Sequence, residues 1–318
     1  MIHAKYPITY AFAIAFLISA VAAPFLYRLL LKLNSRQTIS EHVQEHAHKQ
    51  GTPTMGGIIF ILGWLVSVFL IRAEYAFNVL ALVLFFAAIG FIDDYVVPKM
   101  LQGKRGLGWK QKLLLQIGFT VGLFYFNGQP WPIIALGTFM ILFFSNAYNF
   151  ADGMDALAGT IAVMVSLALG IMALWANLDH IALHMGALIG AFLPFLFLNA
   201  PPAKVFMGDV GALPVGALLG HQMLEISLRT QTLSWQLYLV PMSILMFVLI
   251  AELVPVPIQI ASVKLTGKRV FPRTPIHHAF QHAGWPETRV VWLFALIQGL
   301  CVLISLSWVY MLQKGTLL

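Results

Sequence analysis

Long apolar runs separated by short polar stretches dominate the chain, at about 8–33, 54–71, 76–92, 113–127, 131–147, 157–177, 181–199, 210–228, 236–262 and 288–312. A hydrocarbon core about 30 Å thick takes roughly 20 apolar residues per helical crossing. The pattern therefore predicts an all-α integral membrane protein of about ten transmembrane helices, with residues 1–318 forming a single polytopic domain. The run at 113–127 is short, and a Gly128-Gln-Pro130 turn separates it from the next, a spacing that also fits a re-entrant hairpin. In the ninth run Glu252 is followed by Pro255 and Pro257, which lack a backbone donor, so a bend or break is expected there. The triplet Ala20-Val21-Ala22 resembles a processing site, but apolar sequence continues beyond it, so it reads as part of an uncleaved first span.

Composition agrees with this reading. Hydrophobic residues make up 60% of the chain and charged ones 10%, against about a quarter charged in soluble domains, which excludes a water-soluble globule. The net charge of +7 is scattered between apolar runs rather than gathered on one face, so the partner it implies is a lipid bilayer and not a nucleic acid. Alternate connections divide the basic residues unevenly. One side receives Arg28, Lys32, Arg36, Lys49, Lys99, Lys104, Arg105, Lys110, Lys112, Lys204, Lys264, Lys268, Arg269, Arg273 and Arg289; the other receives Lys5, Arg72, Arg229 and Lys314. The split of 15 to 4 places the first set in the cytoplasm and both termini outside. The single cysteine, Cys301, supports neither a disulfide framework nor a cysteine metal site within one chain.

With this orientation the unusual polar residues fall on the basic side. Asp93 and Asp94 close the third span, Asp152 and Asp155 follow the fifth, Asp209 opens the eighth, and His277 and His278 precede the tenth. Each group alone reads as the polar end of a helix, but ionisable groups at membrane depth are costly, and a set sharing one face points to function. Adjacent carboxylates repel unless a cation sits beside them, and Mg²⁺ takes carboxylate oxygens together with substrate phosphates, so a phosphate-handling site is implied. Asn149, Asp152 and Asp155 recur every third position and share a face if the stretch is helical. Amide and carboxylate groups on one face can read the hydrogen-bonding edge of a base or sugar; helix capping is the alternative account. Asp209 lies between Gly208 and Gly211, which either admit a ligand to the backbone or punctuate a loop. The segment Gly51-Thr-Pro-Thr-Met-Gly-Gly57 lacks the Gly-Lys-Ser/Thr ending of a P-loop. His277, His278 and His282 lack a clear further donor for zinc, leaving phosphate contact, acid–base work or an exposed polar turn. His42, His46 and His48 lie in a charged loop and read as solvated.

The motifs GTPTMGG at 51–57, DDY at 93–95, NAYNFADGMD at 146–155, NAPPAKVFMGDVG at 199–211 and GKRVFPRTPIHH at 267–278 resemble, in order and over most of the chain, the phospho-MurNAc-pentapeptide transferase family. That family belongs to the polyprenyl-phosphate HexNAc-1-phosphate transferase superfamily. The resemblance implies a ten-helix fold in the bacterial inner membrane with a cytoplasmic active site. It implies transfer of phospho-MurNAc-pentapeptide from UDP-MurNAc-pentapeptide to undecaprenyl phosphate, giving lipid I and UMP, with Mg²⁺ as cofactor. Asp209 would hold the metal; Asp93 and Asp94 would sit at the reacting phosphates, Asp93 as a candidate base; His277 would lie near the donor's phosphates. Phe206 would stack on uracil; Asn199, Lys49, Asn149, Asp152 and Asp155 would line the nucleoside and metal-proximal pocket, with Lys112 and His278 completing the substrate contacts. A second copy of the chain, as a homodimer, is a further candidate partner.

Some positions depart from the family pattern. Ala279 and Gln281 stand where a third histidine and an acid are usual, Val97 where a basic residue is common, and His48 at a usual lysine position. Two other readings stay open from sequence alone. One is a related transferase using another UDP-sugar, although TPIHH favours the muramyl branch. The other is a secondary transporter, whose sites lie near the midplane and often come with repeats, neither of which is seen here.

Overall fold

Each apolar run folds into helix. The computed structural model describes residues 7–33, 51–71, 76–101, 106–229 and 236–314. The elements are α1 (Ile8–Leu33), α2 (Gly57–Ile71), α3 (Ala76–Phe91), a π-helical turn (Ile92–Val96) running into α4 (Val97–Met100), α5 (Trp109–Phe126), α6 (Trp131–Ala151), α7 (Leu157–Trp175), α8 (Asp179–Asn199), α9 (Asp209–Arg229), α10 (Gln236–Leu245), α11 (Phe247–Leu253), α12 (Pro255–Thr266), α13 (Ile276–His282) and α14 (Glu287–Lys314).

Among the described residues, seven stretches are long and apolar enough to cross a membrane: α1, α3 extended to Met100, α6, α7, α8, α11 joined with α12, and α14. The chain is thus a multi-pass membrane protein by length and composition, with seven crossings supported where the apolar runs lead one to expect ten. The remaining runs have identifiable reasons for falling short. α2 has 15 residues. α5 opens on Lys110, Gln111 and Lys112, and α9 carries Asp209, His221, Gln222, Glu225 and Arg229, polar groups that lower the hydropathy of otherwise full-length helices. α5 and α6, with 18 and 21 residues, pack against each other across the tight turn at Asn127 to Pro130.

α9 is the central element. It is buried on almost every face and packs against α3 and α6, with α2 and α7 also in contact. A helix buried on nearly all sides belongs in the middle of a bundle, and the polar residues of α9 fall at its first residue and in its last three turns. On its α6 side Gly216 and Gly220 let the backbones meet, because a Cβ at Gly216 would run into the Phe144 carbonyl and one at Gly220 into Met140. Small residues four apart are a common means of close helix approach in lipid. α8 fills the other half of the interior against α1, α2 and α7.

The ninth run is interrupted twice, at Met246 and at Val254. The second break directly precedes Pro255, as the sequence leads one to expect. Beside the first, α14 supplies donors to two carbonyls of α10. Gln298 Nε2 donates to the Leu245 carbonyl at 2.9 Å, and Ser305 Oγ to the Pro241 carbonyl at 2.6 Å. Both side chains are fully buried. Without water to donate to its carbonyls, interrupted backbone persists inside a membrane protein only where protein groups satisfy it.

Candidate functional site

The up-and-down course of the helices brings the C-terminal ends of α3, α6 and α8 together with the N-terminal ends of α5, α7, α9 and α14. The polar residues that lie far apart in the chain meet at this one end of the bundle. Asp93 and Asp94 lie on the π-helical turn that closes α3, the type of helix defect that recurs at functional sites.

Asp209, the first residue of α9, faces them. The carboxylate oxygens of Asp93, Asp94 and Asp209 lie within 4.8 Å of one another. Lys112, in the first turn of α5, bridges two of the three, its Nζ donating to Asp93 Oδ2 at 2.8 Å and to Asp209 Oδ2 at 2.6 Å. These side chains are neither sealed nor free in solvent, with Lys112, Asp93 and Asp209 retaining 20%, 14% and 19% of their exposure. Asn149, at the end of α6, donates from Nδ2 to Asp209 Oδ1 at 2.7 Å. Asp93 Oδ1 accepts from the Leu107 N–H at 2.5 Å, and Asp94 Oδ2 from the Val210 N–H at 3.1 Å. Gly208, at φ +72°, takes a backbone conformation that few side chains tolerate, and a Cβ there would press on Asp94 Oδ2.

The electrostatics follow from this crowding. Burial disfavours the Lys112 charge, but the Asp209 and Asp93 carboxylates outweigh it and hold the ammonium above its ordinary value. Asp152 keeps some open surface, yet desolvation pushes its carboxyl well above the usual range. Asp209 and Asp94 push the same way, against a hydrogen bond from the Gly208 N–H. Three carboxylates so close, all with hard oxygen donors and partly open to solvent, fit a divalent cation.

The other sequence-predicted residues fall into two groups. The first lines the same end of the bundle. Phe206 is half-buried, and its backbone clips onto the 51–57 loop, the N–H donating to the Pro53 carbonyl and the carbonyl accepting from the Gly56 N–H, each within 2.9 Å. His278 is partly exposed, and its Nδ1 lies 3.0 Å from Gln281 Oε1, so the glutamine that replaces an acid keeps a hydrogen-bond partner there without the charge. Lys49 lies outside the described residues.

The second group is turned inward. α6 ends at Ala151, so Asp152 and Asp155 belong to a turn and do not share a helical face with Asn149. Asp155 is buried, its Oδ2 accepting from the Ala203 N–H at 2.9 Å and its own N–H donating to Glu287 Oε1 at 2.6 Å. Asn199 is buried as well. Its Oδ1 accepts from the Ala156 N–H and its Nδ2 donates to the Val205 carbonyl, both at 2.9 Å, so the amide joins the α6–α7 turn to the segment before α9. We expect Asn199→Ala to leave two backbone groups unpaired and destabilise the protein by about 1–3 kcal/mol, read as a lower thermal midpoint in detergent; an unchanged midpoint would show that the clip is dispensable.

His277 is completely buried, its Nδ1–H donating to Glu252 Oε2 at 2.8 Å. Glu252 and Glu287 are the participants that sequence reasoning did not assign. The available signal for Glu252 was a carboxylate inside an apolar run. Glu287 offered none, being one polar residue in a stretch that opens a helix.

Residues 76–227, which include all three clustered aspartates, match the family model described as glycosyl transferase family 4. Residues 49–61 match phospho-N-acetylmuramoyl-pentapeptide-transferase signature 1. A phospho-N-acetylmuramoyl-pentapeptide-transferase of Clostridium perfringens (strain SM101 / Type A) is 36% identical, with the alignment covering 91% of this chain and 93% of the relative. One of Listeria monocytogenes serotype 4b is 36% identical over 94% of this chain and 99% of the relative. One of Staphylococcus carnosus is 34% identical over 90% and 95%.

Proposed function

Because the chain belongs to the phospho-N-acetylmuramoyl-pentapeptide-transferase family, we propose that it transfers phospho-MurNAc-pentapeptide from UDP-MurNAc-pentapeptide to undecaprenyl phosphate, forming lipid I and UMP for peptidoglycan synthesis. The observation that carries this reading is the meeting of Asp93, Asp94 and Asp209 within 4.8 Å beside Lys112, at one end of a multi-pass helical bundle. In the full topology ten spans cross the bacterial plasma membrane, both termini lie outside, and this end of the bundle faces the cytoplasm, where the soluble donor is found. The 15 to 4 partition of basic residues supports that orientation.

The chemistry asks for charge neutralisation and in-line placement more than for a protein nucleophile. An oxygen of the lipid phosphate attacks the sugar-linked phosphorus of the donor, the bond to the bridging oxygen breaks, and UMP departs with the electron pair. Asp93 is the candidate base for a proton on the lipid phosphate, with Asp94 beside it. Lys112 supplies positive charge toward the donor's phosphates, and His278 borders them. Phe206, Asn149 and Asp152 receive the nucleoside side, with Lys49 a further contact. Asp209, flanked by Asp93 and Asp94, would hold Mg²⁺, which when bound supplies charge neutralisation at the reacting phosphates.

Purified protein given UDP-MurNAc-pentapeptide, undecaprenyl phosphate and Mg²⁺ is expected to release UMP, and a chelator is expected to stop the release. Efficient release with UDP-GlcNAc in place of the muramyl donor would assign the chain to a sibling transferase instead. Trapping of a phosphorylated aspartate during turnover would overturn the direct-attack step.

A further inference from the structure

Behind the turn that joins α6 to α7 lies a buried carboxylate–imidazole pair that the reaction as described does not use. Glu252, in the last turn of α11, and His277, in the first turn of α13, are both 0% exposed. His277 Nδ1–H donates to Glu252 Oε2 at 2.8 Å, while Glu252 Oε1 and His277 Nε2 have no hydrogen-bond partner. A carboxylate at this depth is costly, and one left half-satisfied is more so, so stability is a poor reason for its presence.

The position of the ring suggests another reason. Its Nε2 edge lies against Gly153, where a Cβ would collide with Nε2 and Cε1. The turn from Asp152 to Asp155 therefore rests directly on the imidazole, and only a glycine lets it settle there. Glu287 and Asn199 secure the far end of the same turn through the N–H groups of Asp155 and Ala156. The near end, which carries Asp152 beside the carboxylate cluster, takes its height from His277. A free imidazole would rotate about its side-chain bonds; the bond to Glu252 fixes which edge faces the turn.

We propose that Glu252 is a positioning residue for the nucleotide donor: by orienting His277 it sets the height of the Asp152 turn, and through it the grip on the uridine nucleotide. The inference rests on the donor reading given above. It gives His277 a supporting role beneath the turn and leaves contact with the donor's phosphates to His278, the more open of the two.

The test compares Glu252→Leu, which removes the acceptor, with Glu252→Gln, which keeps an oxygen to accept from Nδ1–H. Glu252→Leu is expected to raise the KM for the donor about tenfold or more, leaving the KM for undecaprenyl phosphate within about twofold; Glu252→Gln should stay within about threefold of wild type for both. UMP binding measured calorimetrically on the detergent-solubilised protein is expected to weaken in parallel. Because that measurement needs no turnover, it tests the positioning role even where wild-type protein binds UMP but fails to transfer phospho-MurNAc, a result that would sink the donor reading alone. Gly153→Ala, acting from the other side of the same contact, should reproduce the Leu pattern and carries the test where Glu252→Leu does not fold. Equal changes in both KM values, no change in either, or a Gln variant as weak as the Leu variant would overturn the proposal.

Discussion

Asp209→Asn is expected to reduce UMP release by about a thousandfold or more, an increase of roughly 4 kcal/mol in the activation barrier. Asparagine has nearly the same shape, so the first residue of α9 stays in place and the protein should fold. The change lies in charge. In the native site Asp209 takes one hydrogen bond from Lys112 and another from Asn149, and it is the carboxylate opposite the Asp93–Asp94 pair. An amide there cannot serve as an anionic ligand, and its NH₂ group opposes one of the two donors already facing it. The loss should therefore fall on kcat and on metal affinity together, with Mn²⁺ or Mg²⁺ binding by calorimetry providing the second measurement. Residual transfer within about tenfold of wild type would remove Asp209 from the centre of the reaction.

A change with no charge and no functional group should be almost as damaging. Gly90, in α3, lies so close to the start of α9 that a Cβ would run into the backbone of Asp209 and Val210. Neither of those groups is the end of a flexible side chain, so Gly90→Ala has to push two helices apart. Overpacking of this kind costs about 1–3 kcal/mol, occasionally more. The displacement also separates Asp93 and Asp94 from Asp209, because the two sides of the cluster are carried by α3 and α9 themselves. A misplacement of about 1 Å at reacting groups is worth roughly a hundredfold in rate. We expect a lowered thermal midpoint together with a drop of that order in UMP release. Wild-type values for both would show that the α3–α9 contact has slack.

The contrast between these substitutions reflects what a single sequence discloses. Helices follow from apolar runs, and the gathering of Asp93, Asp94 and Asp209 follows once orientation places span ends on one side, since topology then does the work of bringing distant residues together. Partnerships inside the bundle are different. Glu252 meets His277 across 25 positions and Asp155 meets Glu287 across 132, and neither separation has any periodicity to betray it. The three-residue spacing of Asn149, Asp152 and Asp155 misleads because the helix stops at Ala151 and the chain turns, with Ala156 at φ +64°. Asn199 carries a motif that resembles a nucleoside contact, while its amide is engaged by two backbone groups. The first interruption of the ninth run, at Met246, escapes notice because the side chains that bond to the carbonyls beside it, Gln298 and Ser305, lie on another helix.

That contact with α14 bears on how the protein is made. α14 is synthesised after α10, so when α10 first enters the bilayer the Leu245 carbonyl still lacks the Gln298 amide that it meets in the folded chain. The break at Met246 is secured from the side once α14 has packed against α10. The clustered aspartates and Lys112 all precede this break in the chain, whereas Glu252 and His277 follow it.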